Sequence, residues 1–238
     1  MNVAQMLDKS SYSISLGNTH QDGIISSTGM DRYNVKVSAD TKLTNNWSSG
    51  FTANYITTSI DKAVTSGNGL LRTVYAAPPS YDLAGIPSHV DGNPYTQNSF
   101  RGSFDNAYWA MENNKFTEDT NRFFGNVYAS YQTDFGTTNH KLNAKYMVGV
   151  DAYTTHYVDS YGYGSNTGGG RGQIENYGWT NATYNSLLTI NYDWHINEDW
   201  GLNAVVGNKL SKATERSIMN MVRTTTSGTG TTSTTPLL

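Results

Sequence analysis

Apolar and polar residues alternate along much of this sequence, and that period of two constrains the fold more than any other feature. In segment 33–43 every second residue is drawn from Tyr33, Val35, Val37, Ala39, Thr41 and Leu43, and the residues between them are polar. Because successive side chains of a β-strand point to opposite faces, the segment predicts a strand with one apolar face. A polar turn at 44–46 and a second alternating segment at 47–55 complete a predicted β-hairpin.

The same pattern recurs in two more hairpins. Segments 123–133 and 142–152 alternate on either side of a turn at 136–139, and segments 182–194 and 200–206 alternate on either side of a turn at 195–199. A further strand is predicted at 12–16, before the first hairpin, and an eighth has room after Lys209. The chain is therefore predicted to be all-β, with about seven or eight antiparallel strands in an up-and-down meander.

Two classes of protein contain strands of this kind, the transmembrane β-barrel and the soluble β-sandwich. The apolar faces of the predicted strands contain no charged residue, and a charge that faces lipid at the bilayer midplane costs about 2–4 kcal/mol. The strands also exceed the ~5–6 residues of an average strand and approach the ~9–11 residues that cross a bilayer at a tilt. The pattern favours a barrel, with the sandwich as its alternative.

The connections differ in length as they do in outer-membrane barrels, which have short periplasmic turns and long external loops. Short turns follow Leu43, Thr133 and Trp194, whereas long connections are predicted at 61–120 and 157–177. Aromatic residues collect where strands meet the short turns, and such residues line the boundary between membrane and water. The predicted membrane-boundary residues are Trp47, Tyr131, Tyr192, Trp194 and Trp200, with Phe135 in the same region.

Composition excludes several other classes of protein. Only 15% of the residues are charged, against about 25% in ordinary soluble domains, and the mean hydropathy of -0.54 shows that aliphatic residues have not replaced them. No apolar stretch approaches the ~18 residues of a membrane helix, and residues 1–9 do not have the pattern of a signal peptide. The net charge of -3 argues against a nucleic-acid partner, and the lack of cysteine excludes thiolate metal sites and thiol nucleophiles.

No motif predicts catalysis, a metal or a cofactor. The glycine-rich stretch 168–172 lacks the Lys-Ser/Thr ending of a phosphate-binding loop and is interpreted as an external loop. His156 and Asp159 provide two ligands at most, which do not make a metal site. Asp40 and Asp151 are interpreted as polar residues that line a lumen rather than as a glycosidase pair. We therefore expect that the chain is not an enzyme.

Three ordered segments carry longer motifs. They are SYSISLGNTHQDGII at 11–25 followed by DRYN at 31–34, AAPP at 76–79 followed by DGNPY at 91–95, and NNKFTEDTNRFFGNV at 113–127. In these segments the sequence resembles the SusC/RagA family of TonB-dependent outer-membrane transporters, over residues 10 to 208. Asn18 and His20 stand where the family more often has Tyr and Asp.

The resemblance implies a role in nutrient import across the bacterial outer membrane, in contact with its lipid. Members of the family work with a SusD-like surface lipoprotein that closes the outer mouth, and the TonB complex supplies energy through a plug domain. Cargoes are oligosaccharides, or peptides for some members. The chain is then expected to be part of a barrel of about 22 strands. The alternative function is a surface β-protein that binds or adheres to glycans without transporting them.

The expected organisation has three parts. Residues 1–10 are a lead-in, residues 11–221 form the partial barrel with a long external loop at 62–120, and residues 222–238 form a Thr/Ser/Gly-rich tail. A short helix is expected at 70–76 within the external loop.

Aromatic residues of the external loop are the candidate contacts for cargo or for the lipoprotein lid. These candidates are Tyr75, Tyr81, Tyr95, Tyr108 and Trp109. Their rings are able to stack on sugars or pack against the lid. Alternatively, they bury their own apolar area and hold the loop together.

Overall fold

A single antiparallel sheet forms most of the computed structural model, which describes residues 1–64 and 69–222. Its strands are β1 (Asn2–Met6), β2 (Ser10–Asp22), β3 (Gly29–Lys42), β4 (Trp47–Lys62), β5 (Lys115–Thr133), β6 (His140–Tyr163), β7 (Arg171–His195) and β8 (Gly201–Val222). Each strand pairs with the next along the chain. The sheet is an up-and-down meander, and within the described residues it is open between β1 and β8. The predicted all-β meander is confirmed.

The eighth strand lies at the opposite end of the chain from its predicted position. Lys209 is an internal residue of β8, which runs without a break from Gly201 to Val222, so no separate strand follows Lys209 within the described residues. The eighth strand is instead β1, in the segment predicted as a lead-in, where Asn2 pairs with Ser15 of β2. Its five residues include three apolar ones, of which Val3 and Ala4 are adjacent, and they are too few to display a period of two.

Cross-strand register places the apolar residues of successive strands on one face of the sheet, here called the apolar face. In β3 to β6, for example, Val37 is paired with Ala53, and Phe51 with Val127, which in turn pairs with Val148. Further members of this face are Tyr12, Ile14 and Leu16 of β2, Tyr55 of β4, Phe123 of β5, Tyr184 and Ile190 of β7, and Leu202 and Val206 of β8. The polar face opposite carries Lys36, Asp40, Asn54, Asn126, Lys145, Asp151 and Asn185.

The apolar residues form a belt that spans about ten residues of each long strand. Towards the short turns the belt begins at Trp47 and Tyr131, and towards the long connections it ends at Tyr55, Phe123 and Ala152. Beyond that limit the same face carries polar residues such as Asp119 and His156. The length of the belt matches the ~9–11 residues with which a tilted strand crosses a bilayer.

The short turns are staggered along the sheet. Trp47 directly follows the turn between β3 and β4. Across the sheet it pairs with Tyr131, which pairs with Ala144, which pairs with Ile190. Each of these residues lies further than the one before from the short turn at the end of its strand. Strands that tilt against a common membrane plane require such a stagger.

Most of the buried apolar residues lie outside the sheet. The buried apolar residues are Phe104, Ala107, Trp109, Ala110 and Phe116, all in or beside the connection between β4 and β5. In contrast, Phe51, Val127 and Tyr184 of the belt are 43%, 53% and 53% exposed. An apolar surface of this extent marks a site that contacts lipid or another protein.

The connections were predicted with unequal success. Residues 63–114 link β4 to β5 and contain α1 (Leu70–Ala76), the predicted helix, and α2 (Ala107–Asn113). The long connection predicted at 157–177 is wrong, because β6 continues to Tyr163, β7 starts at Arg171, and Tyr157 pairs with Tyr177. A short 3-10 helix (Thr167–Gly170) fills the hairpin between them.

Two expectations fall outside the described residues. They concern residues 65–68 of the external loop and residues 223–238 of the predicted tail. Among the described helices, none combines the length and the apolar composition needed to cross a membrane.

The belt can be tested with a pair of lysine substitutions at adjacent residues of β6. Val148 lies on the apolar face and Met147 on the polar face. We expect V148K to lower the free energy of unfolding in lipid vesicles by about 2 kcal/mol or more, because lysine would face lipid. M147K should change it by less than about 0.5 kcal/mol, as surface substitutions usually do. Urea titration of the vesicle-inserted protein measures both values, and equal effects would contradict the membrane assignment.

Candidate ligand-contact surfaces at the outer end of the sheet

Paired polar side chains occupy the polar face beside the belt. Tyr128 Oη donates to Asp40 Oδ1 at 2.6 Å, and Lys145 Nζ lies 4.1 Å from the centre of the Tyr128 ring. Arg122 donates to both carboxylate oxygens of Asp151, at 2.8 and 2.5 Å. Each carboxylate is engaged by a different neighbour, and the interpretation of Asp40 and Asp151 as residues that line a lumen stays a prediction.

Aromatic rings gather on the polar face beyond the belt, at the end of the sheet that carries the long connection. We call Phe116, Tyr157, Tyr161, Tyr177 and Trp179 the upper aromatic cluster. Tyr157 and Tyr177 stack with their ring centres 4.9 Å apart and their planes 7° from parallel. Trp179 lies 5.1 Å from Tyr157. Phe116 and Tyr161 meet edge to face at 5.0 Å, one of the arrangements that aromatic pairs prefer.

Charged groups frame this cluster. Lys62 Nζ lies 3.3 Å from Glu118 Oε2 and 4.2 Å from the centre of the Tyr157 ring. Tyr177 Oη donates to Asp159 Oδ2 at 3.1 Å. The cluster therefore presents apolar ring surface between one cation and several carboxylates.

Both tyrosines of the stacked pair lie beyond the belt, and their phenols hold the proton more tightly than usual. Burial, followed by the charge of Asp159, raises the pKa of Tyr177 to about 12. Burial, followed by the charge of Glu118, also raises the pKa of Tyr157. Near neutral pH both phenols are therefore uncharged and able to donate hydrogen bonds.

The upper aromatic cluster is not predicted from the sequence, because residues 157–177 are assigned to a long connection and Phe116 to the external loop. One signal was present, since Tyr157 and Tyr161 share a face of any strand, as do Tyr177 and Trp179. The period of two does not show in segments 157–163 and 171–179, because neither face of these strands is mainly aliphatic.

The external segment, residues 69–114, folds around a buried carboxylate. Asp105 is 2% exposed. Its Oδ1 accepts from Gln97 Nε2 at 2.8 Å and from the backbone N–H of Asn166 at 2.7 Å, and its Oδ2 accepts from Ser165 Oγ at 2.6 Å. Because Ser165 and Asn166 belong to the β6–β7 hairpin, Asp105 attaches the external segment to the sheet.

Gly164 allows the β6–β7 hairpin to approach the external segment closely. The φ angle of Gly164 is 101°, a conformation that side chains disfavour, and a Cβ there would clash with the carbonyl of Tyr95 and approach the ring of Trp109. Trp109 Nε1 donates to Pro94 O at 2.9 Å. The hairpin connection is therefore packed directly against the core of the external segment.

The five predicted loop contacts fall into two groups. Trp109 is completely buried and Tyr81 packs on Phe100 at 5.1 Å, as the packing interpretation expects. Tyr95 meets Tyr163 edge to face at 5.5 Å but is still 59% exposed. Tyr75 and Tyr108 are exposed, at 83% and 41%. Accessible ring surface therefore belongs to Tyr75, Tyr95 and Tyr108, and ligand or lid contact by these residues stays a prediction.

The predicted membrane-boundary aromatics lie at the short-turn end of the sheet, in separate groups. Trp47 contacts Tyr131 at 5.0 Å between ring centres. His140 stacks on Trp194 at 5.7 Å, and its Nδ1 lies within hydrogen-bond distance, 2.8 Å, of Tyr192 Oη. Trp200 is exposed in the turn before β8. Their contact with the membrane boundary stays a prediction.

The structure separates the two side chains that were weighed as metal ligands. His156 and Asp159 lie in β6 at positions of opposite parity, so they point to opposite faces. His156 pairs with Asn176, and Asp159 with Tyr177. In the part of the chain that the structure describes, no three His, Cys, Asp or Glu side chains are grouped to hold a metal ion.

Comparison with known proteins provides a structural likeness and no sequence match. No family model matches the sequence, and no curated protein matches it significantly. The fold is similar to part of a solved structure described as the RagAB peptide importer in the "closed-closed" state, with a TM-score of 0.73 and 14% sequence identity. The match covers 98% of this chain and 26% of that one, so the chain spans about a quarter of the length of that protein.

The attachment of the external segment can be tested by removing its central carboxylate. We expect D105A to release residues 69–114 and to expose them to limited proteolysis, because bonds to a charged group contribute ~1.5–3 kcal/mol each. The control is D82A in the same segment, where Asp82 is exposed and accepts a local bond from the N–H of Gly85. Cleavage sites mapped by mass spectrometry give the result, and equal resistance of D105A and D82A would contradict the assigned role.

Proposed function

We propose that this chain is part of the barrel wall of a TonB-dependent importer of the SusC/RagA type in the bacterial outer membrane. Its cargo is an oligomeric nutrient, an oligosaccharide or a peptide. The observation that carries the proposal is the two-faced meander, whose fold is similar to part of the RagAB peptide importer. In this assignment the belt faces lipid, and strands of the remaining barrel complete the sheet.

The distribution of polar groups supports a polar interior, as transport requires, rather than a packed apolar core. The polar face carries charged and amide side chains along its whole length, including Lys36, Asp40 and Asp151. Large barrels enclose a polar interior that water and solutes occupy. In this proposal, the upper aromatic cluster lies near the outer mouth, where cargo arrives.

The proposed partners are a SusD-like surface lipoprotein and the TonB complex, the latter acting through a plug domain of the whole protein. Support for the lipoprotein comes from α1, which exposes Leu71, Val74 and Tyr75 at 44%, 44% and 83%. These residues are spaced i, i+3 and i+4 and share one side of the helix. Such an apolar stripe on an external segment is typical of a helix that another protein covers.

The alternative function is a surface β-protein that binds glycans without transporting them. The observation that favours it is the accessible ring surface of Tyr75, Tyr95 and Tyr108 on the external segment. We assign neither function a catalytic residue or a cofactor.

Uptake by cells distinguishes the two functions. We expect deletion of the gene to abolish growth on one class of oligomer, oligosaccharides or peptides, and inactivation of TonB to have the same effect, because import requires energy. Cell binding of labelled oligomers to the TonB-deficient strain is the control, since it persists under both functions. Growth that is unaffected by both losses, with binding retained, would favour adhesion.

The proposed lipoprotein contact can be tested with a charge on α1. We expect V74D to reduce recovery of the lipoprotein with the affinity-tagged protein at least about tenfold, since a buried carboxylate at an interface is strongly unfavourable. V90D is the matched control, because Val90 is 39% exposed in the same segment but lies outside α1. Quantitative mass spectrometry of the purified complex measures the ratio, and equal loss with both variants would argue against contact through α1.

A further inference from the structure

Two cations of β8 lie on the apolar face, at the end of the belt towards the long connection. One row of paired residues marks this limit on β6, β7 and β8, namely Ala152, Ala182 and Thr214. Lys212 pairs with Tyr184, two residues inside the row, and Arg216 pairs with Thr180, two residues beyond it. Both cationic side chains are exposed. They therefore flank the limit of the belt, and we call them the cation pair.

Charge is divided unequally between the two faces of β6, β7 and β8. The carboxylates of these strands all lie on the polar face, namely Asp151, Asp159, Glu175, Asp193 and Glu215. Asp119 of β5 does lie on the apolar face, but three strand spacings of ~4.8 Å separate β5 from β8. Within the described residues, neither Lys212 nor Arg216 forms an ion pair. The cation pair is therefore a positive patch that no carboxylate of these strands neutralises.

We propose that the cation pair binds the phosphate of an anionic lipid at the membrane boundary. The inference rests on the proposed placement of the belt in a membrane. It goes beyond import, because it assigns a binding site to the side of the barrel wall that faces lipid.

The position of Lys212 along its strand is the first argument. Counted from Gly201, the first residue of β8, Lys212 lies at the end of the ~9–11 residues that cross a bilayer at a tilt. A lysine that faces lipid is unfavourable at the bilayer midplane and much less so near the interface. Its long side chain keeps the methylene groups in the apolar region and extends the ammonium group towards the headgroups. The charge therefore lies at the level of the lipid phosphates.

The neighbouring residues of the same face are the second argument. Beyond the limit of the belt, β6 and β7 carry hydroxyl, amide and imidazole groups on this face, from Thr154, Thr180, Asn176 and His156. The two threonine hydroxyls lie 3.1 Å apart in a hydrogen bond, and His156 bonds with Asn176. Water and lipid headgroups can bond such groups, whereas acyl chains offer them no partner. The cation pair therefore lies between a surface for acyl chains and a surface for headgroups.

The chemistry of the two cations selects the headgroup, which is the third argument. The guanidinium group of Arg216 presents donors in a planar fork that matches two phosphate oxygens, and Lys212 adds a compact ammonium charge. A zwitterionic headgroup carries a cation of its own, which the same patch repels. The cation pair therefore favours an anionic lipid over a zwitterionic one that contains the same phosphate.

Native mass spectrometry of the intact protein, released from micelles of a nonionic detergent, tests the inference. The probes are phosphatidylglycerol and phosphatidylcholine with identical acyl chains, and inorganic phosphate as a competitor. We expect phosphatidylglycerol to bind about twentyfold more tightly than phosphatidylcholine, because each basic residue near an anionic lipid contributes about fivefold. Inorganic phosphate should not displace the lipid, since it has no acyl chains to hold it against the belt.

Substitutions in β8 locate the binding. K212Q and R216Q should each reduce the preference about fivefold, and the double variant should abolish it. K212R keeps the charge and should keep the preference. K209Q is the matched control, because Lys209 lies in the same strand but pairs with Leu187 on the polar face. Circular dichroism verifies that the variants are folded, which the exposure of both cations leads us to expect.

Equal affinity for the two lipids would overturn the inference, as would a preference that survives the double variant or is lost in K209Q. Displacement of phosphatidylglycerol by inorganic phosphate would assign the cation pair to a free anion instead. Reduced recovery of the lipoprotein with the double variant, in the absence of a lipid preference, would assign it to a protein contact.

Insertion into phosphatidylcholine vesicles separates this inference from the proposed function. Insertion without a preference for phosphatidylglycerol would refute the site alone. Failure to insert would refute the membrane placement and the site with it. A preference without TonB-dependent uptake would refute import and leave the lipid site intact.

Discussion

The apolar belt is the constraint on which the rest of the structure depends. Antiparallel pairing satisfies the backbone hydrogen bonds from β1 to β8, but among the described residues nothing covers the belt, and residues such as Val127 and Tyr184 stay about half exposed. A sheet with an apolar face and two open edges is stable only where another apolar phase or protein covers that face. The long strands, the stagger of the turns and the polar opposite face all fit a sheet that lipid covers on one side.

Where the belt ends, the two faces of the strands change in composition. Beyond Phe123 and Ala152 both faces are mostly polar or aromatic, yet β6 and β7 continue as a paired hairpin to Tyr163 and Arg171. The strands therefore continue beyond the belt and support two structures at the end of the sheet that carries the long connection. One is the external segment with its own core around Trp109, and the other is the upper aromatic cluster.

This change also explains which parts of the structure could be predicted from the sequence. A period of two reveals a strand only when its faces differ in polarity, so the belt was predicted and the extension of β6 and β7 was not. β1 was missed because five residues are too few for a pattern. The burial of Trp109 depends on Pro94 and Gly164, and the role of Asp105 depends on Ser165, sixty positions away. Such contacts bring together residues that are distant in sequence, and no local pattern records them.

The external segment and the upper aromatic cluster are connected through the same few residues. α2 ends at Asn113, and Phe116 follows at the start of β5 and belongs to the cluster. Between them, Asn114 Oδ1 accepts from the backbone N–H of Gly162 at 2.8 Å, where a side chain at 162 would collide with the backbone of Asn113. A shift of α2 would therefore move Phe116 and Tyr161 with it. In the proposed importer, a lipoprotein that binds α1 would act on the cluster through this connection, because Thr73 Oγ1 of α1 donates to the carbonyl of Asp105, directly before the N-cap of α2.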